Sequence, residues 1–284
     1  MGSWPTSTVL NQVAAILNGS WARHAGPAHL RALPPAPAVH SAERPRVGVI
    51  DLAFTPDLPA LVAVPVHRER FVRATLPPAA ARHGTAIAAT VALGAPCHTL
   101  HLAAVGTTDA LAPPRAVAEA LRWMAAEEVH VIALPLGDPD PDDDLALAIA
   151  DILLRPRPPA IFASLGNDHP DPGLFPARHP GVTAVAAADP DGRLLADACR
   201  APPPDLIAPG AGLTAPFGHG RHGPLPGSSL ACAVAAGAAA RWIAVQPDLA
   251  GDRRALLAAL RAAPVSTGPT LPRIDPSPTK GIEP

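Results

Sequence analysis

Asp51, His83, Asn167 and Ser229 are the side-chain types that an acyl transfer requires, and they stand far apart along the 284-residue chain. In that chemistry a hydroxyl attacks a carbonyl carbon, and an imidazole takes its proton and delivers it to the leaving amine. A carboxylate fixes the imidazole's tautomer and stabilises its charged form, while an amide and a backbone N–H hold the developing oxyanion. Each residue also has an ordinary structural use: Asp51 as a turn former, His83 in a helix start or core, Asn167 in a left-handed turn, and Ser228 or Ser229 as a helix cap. What decides between these uses is where the chain places them.

Apolar strands alternate with helical segments from Arg46 onward: VGVID (47–51), LVAVPV (61–66), a helix opening at His83, TLHLAAV (99–105), a helix across 114–127, and VHVIAL (129–134). The alternation continues with a helix after DPDPDDD (138–144), strands AIFASL (160–165), VTAVAAA (182–188) and DLIAPG (205–210), a long helix from Ser229, and a helix over 251–262. This pattern predicts an α/β fold with a mostly parallel sheet and helices on both faces. In such a sheet functional side chains gather at the carboxyl ends of strands and the amino ends of the helices that follow. Asp51, His83, Asn167 and Ser229 all fall at such ends.

Five segments, in this order, resemble the subtilisin-like serine peptidases, the subtilases: VGVID, HGTAIAATVA, ASLGND, FPARHPGVTAVAAAD and GSSLACAVAAGAAA. The resemblance spans about 45–245. It implies the family's three-layer α/β fold, a catalytic triad of Asp51, His83 and Ser229, and an oxyanion hole from Asn167. Gly227 then matches the family's glycine and Ser228 its usual threonine. It further implies that Pro135, Leu136 and Gly137 pair with an extended substrate, and that Ser164, Leu165 and Gly166 border the pocket before the scissile bond, narrowed by Leu165. Several positions depart from the pattern: Leu52 and Ala53 after the Asp, Ala86 in the His helix, and Ala233-Val234 where a Pro-His pair is usual. The expected activity is that of a serine endopeptidase, with processing of a precursor or leader peptide as one use. A weak or inactive homologue that binds extended peptides is the alternative.

The composition limits other classes. A formal charge of −2 gives no electrostatic footprint for nucleic acid or an anionic membrane. The first strand is followed by VIDLAF, not a phosphate-cradling glycine loop, which argues against a nucleotide binder. Three cysteines, Cys97, Cys199 and Cys232, are too few for a disulfide framework, and Cys232, nearly one turn beyond Ser229, is expected to pack inside. The 39 prolines punctuate loops between apolar runs and do not by themselves indicate disorder.

A short helix over 7–22 and a Pro/Ala linker at 33–39 are expected before a peptidase domain of 45–264, with an irregular tail over 265–284. The first residues lack the basic start and unbroken apolar stretch of a secretory signal, so a cytoplasmic location is expected. No cofactor is expected. The acidic run DPDPDDD suits a solvated helix start, a structural calcium or a contact to basic substrate residues. His219 and His222, and Cys97, Thr99 and His101 on one strand face, have metal-binding types without a set of four ligands.

Overall fold

The computed structural model describes residues 44–58, 64–95, 99–169, 171–189, 192–218 and 221–262. The helix expected over 7–22, the linker and the tail lie outside them.

Seven strands form one parallel sheet: β1 (Arg46–Asp51), β2 (Val66–Arg70), β3 (Thr99–Ala104), β4 (Val131–Leu134), β5 (Ala160–Ser164), β6 (Thr183–Ala188) and β7 (Leu206–Pro209), in the spatial order β2-β3-β1-β4-β5-β6-β7. Five α-helices accompany them: α1 (Pro78–Gly94), α2 (Pro114–Ala126), α3 (Asp143–Leu153), α4 (Ser228–Val245) and α5 (Arg253–Ala262). A two-stranded antiparallel ribbon, β8 (Thr214–Gly218) with β9 (Arg221–Pro224), precedes α4.

Strand side chains alternate between two cores because successive Cβ atoms point to opposite faces. On β5, Phe162 joins α1, α4 and α5 on one face, whereas Ile161 and Ala163 join α2 and α3 on the other. This is the expected three-layer α/β arrangement. From β1 the chain runs to the edge strand β2 and back to β3 on one side, then crosses to β4 on the other, so Asp51 ends its strand at the point where the strand order reverses. Open α/β sheets form their crevices at such a point.

Helix α4 is apolar nearly all round, with 78% of it buried in the molecule, which is the signature of a central core helix. It crosses α1 where both lack side chains: a Cβ on Gly94 would stand 3.1 Å from the Cα of Gly237, and the reverse contact is also 3.1 Å.

Two elements differ from the sequence expectation. Residues 59–63 lie outside the described chain, and the strand there starts only at Val66, running through the polar VHRER. It is the sheet's edge, where charged residues guard against edge-to-edge pairing, and such a strand carries no apolar run to betray it. Helix α1 starts five residues before His83, at Pro78. A proline suits a first helical position because its missing N–H would have no partner there, so His83 sits in the second turn.

Candidate active site

Asp51, the last residue of β1, is a carboxylate with a side chain only 2% exposed. Burying an ionised carboxylate is costly unless it is paired and hydrogen-bonded. Asp51 has both: its Oδ1 accepts from the Leu52 N–H at 2.7 Å, and His83 Nδ1 lies 2.9 Å from Oδ2 and 3.1 Å from Oδ1. With Nδ1–H directed at Asp51, the neutral ring keeps its lone pair on Nε2. Burial opposes protonation of His83, but the charge and hydrogen bond of Asp51 outweigh it and raise its pKa above 6.5.

The neighbours of His83 bring α1 to the end of β1. A Cβ on Gly84 would lie 2.2 Å from the Ala53 carbonyl oxygen and 3.0 Å from the Asp51 Cβ, so only glycine permits this approach. Thr85 Oγ1 accepts from the Thr55 N–H at 2.9 Å and donates to the Ala81 carbonyl at 2.7 Å, pinning the loop after β1 to the helix. Gly84→Ala is therefore expected to push α1 off β1 and part His83 from Asp51. The cost is that of overpacking a tight contact, about 1–3 kcal/mol, to be read as a lower urea midpoint.

The two adjacent serines differ sharply. Gly227, at φ 123°, turns the chain into α4 with a backbone that a side chain would strain. Ser228 is 1% exposed, and its Oγ accepts from the Gly166 N–H at 3.3 Å while its own N–H donates to Asn167 Oδ1 at 2.8 Å. Ser229 is half-buried, and its hydroxyl donates to the Pro135 carbonyl at 3.1 Å. Ser228 thus closes the turn, while Ser229 opens onto a cavity of about 700 Å³ that Asp51, His83 and Asn167 also line. With Oδ1 engaged by Ser228, Asn167 keeps its NH₂ as a donor.

A model of the subtilase family matches residues 47–273. The chain belongs to the subtilase family. It is 30% identical over 172 residues to the thermostable alkaline protease of Halalkalibacterium halodurans, covering 56% of this chain and 46% of that protein. It is 29% identical over 167 residues to subtilisin BL of Lederbergia lenta, covering 56% of this chain and 61% of that one. The matches thus span about half to three fifths of those relatives. In fold it is similar to a serine-to-alanine mutant of the protease domain of PatA, with TM-score 0.62, 20% identity, and 72% of this chain and 80% of that chain covered. It is equally similar to the prenylagaramide maturation protease PagA, with TM-score 0.62, 20% identity, and 73% and 78% covered.

Of the residues expected to border substrate in this subtilase, Pro135, Leu136, Gly137, Ser164 and Gly166 line the cavity. Leu165 does not narrow it. It is fully buried in the core with α2 and α3 and packs on Gly173, because strand alternation carries it onto the face of Ile161 and Ala163. Of the positions where the subtilase pattern is broken, Ala53, Ala86, Ala233 and Val234 are buried and do not line the cavity, whereas the half-buried Leu52 does. Cys232 is buried too: its thiol reaches the Phe162 carbonyl at 3.2 Å, and burial pushes its pKa up to about 12.

The lining also includes Asp109 and Leu174, outside the five resembling segments, and Asp168 and Phe175, which stand in two of them but carry no role there. Phe175 is drawn in by a pair of 2.8 Å backbone hydrogen bonds with Asp138. That bridge joins positions 37 apart in sequence and has no local signal. In the acidic run, Asp142 caps α3 by accepting from the Leu145 N–H at 2.8 Å, and Asp138 accepts from the Asp140 N–H at 2.9 Å, so both do local structural work.

Proposed function

We propose that this subtilase is a serine endopeptidase acting through an acyl-enzyme on Ser229. The observation that carries the reading is the Asp51–His83 pair facing the same cavity as the half-buried Ser229, with its partner serine locked in the turn. Ser229 leaves the Pro135 carbonyl and loses its proton to His83 Nε2 as Oγ bonds to the substrate carbonyl carbon. Asn167 and the Ser229 N–H receive the oxyanion, and Asp51 balances the imidazolium. His83 then protonates the leaving amine as the C–N bond breaks. A water, deprotonated by His83, hydrolyses the ester and frees Ser229. Trimming of a peptide precursor is the use we propose, supported by the fold shared with a protease named for prenylagaramide maturation.

A fluorophosphonate probe tests the chemistry. The purified chain should be labelled on Ser229 and Ser229→Ala should not be. A wild-type chain that stays unlabelled while binding extended peptides would make it a scaffold instead.

The lining also points to the substrate's charge. Besides Asp51 it carries Asp109, Asp138, Asp140, Asp142 and Asp168, and among the described residues His83 is the only basic side chain in it. A cleft of one sign with low-dielectric walls concentrates the opposite charge. Peptides with Arg or Lys flanking the scissile bond should therefore be cleaved at least ~10-fold faster than acidic counterparts in low salt. The preference should collapse near 1 M salt, where screening acts within roughly 3 Å. A peptide-library digest at both salt levels measures it.

A further inference from the structure

The far edge of the sheet brings together three side chains that the peptidase reading does not use. Strands β2 and β3 are in parallel register with His67 opposite His101, which puts both imidazoles on one face of the sheet. Helix α2 covers that face, and Glu127, the residue that ends it, reaches back over both rings. The ring centroids of His67 and His101 are 4.7 Å apart, and Trp123, one turn before Glu127, packs on His101 at 5.6 Å.

The spacing between these groups is the informative part. Glu127 Oε2 is 3.6 Å from His101 Nε2 and 3.9 Å from His67 Nδ1, both longer than a hydrogen bond. His101 is 1% exposed and turns its Nε2 toward Glu127, while its Nδ1 is buried with no hydrogen-bond partner among the described residues. A buried imidazole nitrogen left without a hydrogen bond is costly. The nearby Arg46 guanidinium is already held by Glu128 at 2.8 Å, leaving the Glu127 carboxylate to the histidines. The ligand atoms of His67, His101 and Glu127 all lie within 4.8 Å of one another. Two ligands about 2.0–2.1 Å from a tetrahedral ion stand roughly 3.4 Å apart, so the cluster needs only a small contraction to close on one.

We propose that His67, His101 and Glu127 form a binding site for a divalent transition-metal ion of the zinc class. Two imidazole nitrogens and a carboxylate oxygen suit such ions, and solvent fills the remaining coordination positions. His67 and Glu127 have side chains 51% and 41% exposed, which leaves the ion a way in. The site is remote in sequence from Ser229, and its ligands are absent from the cavity lining. Its role is to clip the edge strand β2 to α2. The strand face of Cys97, Thr99 and His101 hinted at metal chemistry, but the partners of His101 come from β2 and α2, and Cys97 lies outside the described residues.

The test is calorimetric titration of the full chain, without an affinity tag, with Zn²⁺, alongside thermal melts. One equivalent should bind, and Tm should rise by on the order of 5 °C at zinc concentrations ~100-fold above Kd. His67→Ala and Glu127→Gln change exposed positions where folding is expected to survive, which zinc-free melts verify. Each should weaken zinc binding at least ~10-fold and abolish the Tm shift, with fluorophosphonate labelling unchanged. His83→Ala should keep the full equivalent, separating this site from the Asp51–His83 pair. No zinc binding by the wild-type chain, or binding that both His67→Ala and Glu127→Gln retain at full affinity, would overturn the proposal.

Discussion

Ser229→Ala is expected to lower the turnover of a peptide amide by on the order of 10⁶-fold, the loss seen when the nucleophile of a triad is removed in serine peptidases, subtilisin among them. Ser228→Ala provides the contrast. Ser228→Ala removes only the buried hydroxyl that accepts from the Gly166 N–H and keeps the backbone N–H bonded to Asn167 Oδ1, so it should loosen the turn beside the oxyanion donor and cost about 10–10²-fold while labelling persists. The Ser229→Ala chain should also melt within ~1 kcal/mol of wild type, because the hydroxyl gives up one hydrogen bond, to Pro135, at a half-buried position. Turnover of both variants on one fluorogenic peptide separates nucleophile from cap. Equal losses would refute the assignment.

Asp51→Asn should reduce kcat/KM by about 10⁴-fold, since the amide holds the imidazole in the wrong tautomer without disturbing the geometry. The pH profile supplies a second readout. In the wild type Asp51 raises the pKa of His83 above 6.5, against the effect of burial. The base is neutral only above that raised value, so kcat/KM should fall tenfold per pH unit below it. In Asp51→Asn the raising influence is gone and burial remains, so the acidic limb should move to lower pH. A limb that stays in place would assign it to some other group.

Much of this site was legible from one dimension because its parts are local. A strand ending in Asp, a His-Gly-Thr on a helix, a Gly-Asn turn and a Gly-Ser-Ser helix start each need only a few neighbouring residues, and the parallel sheet brings their ends together. Four things were not legible, for physical reasons. Edge strand β2 is polar because edges are guarded by charge, so no apolar run marks it. Leu165 read as a pocket residue, but strand alternation turned it into the core beside Gly173. The bridge from Asp138 to Phe175 and the cluster of His67, His101 and Glu127 join residues far apart in sequence, a kind of contact that short patterns cannot carry.

The crossing of α1 and α4 at Gly94 and Gly237 is a pivot for two levers. His83 lies 11 residues from Gly94, about 16 Å along its helix, and Ser229 lies 8 residues from Gly237, about 12 Å along the other. Helices are stiff, so a tilt of ~4° at the pivot moves either working end by about an ångström, and displacements of that size cost on the order of 10²-fold in rate. Alignment of His83 with Ser229 thus depends on two residues that have no side chain and do not line the cavity. A mutational library confined to the cavity would sample every group that lines it and still miss the mechanical setting that aims them.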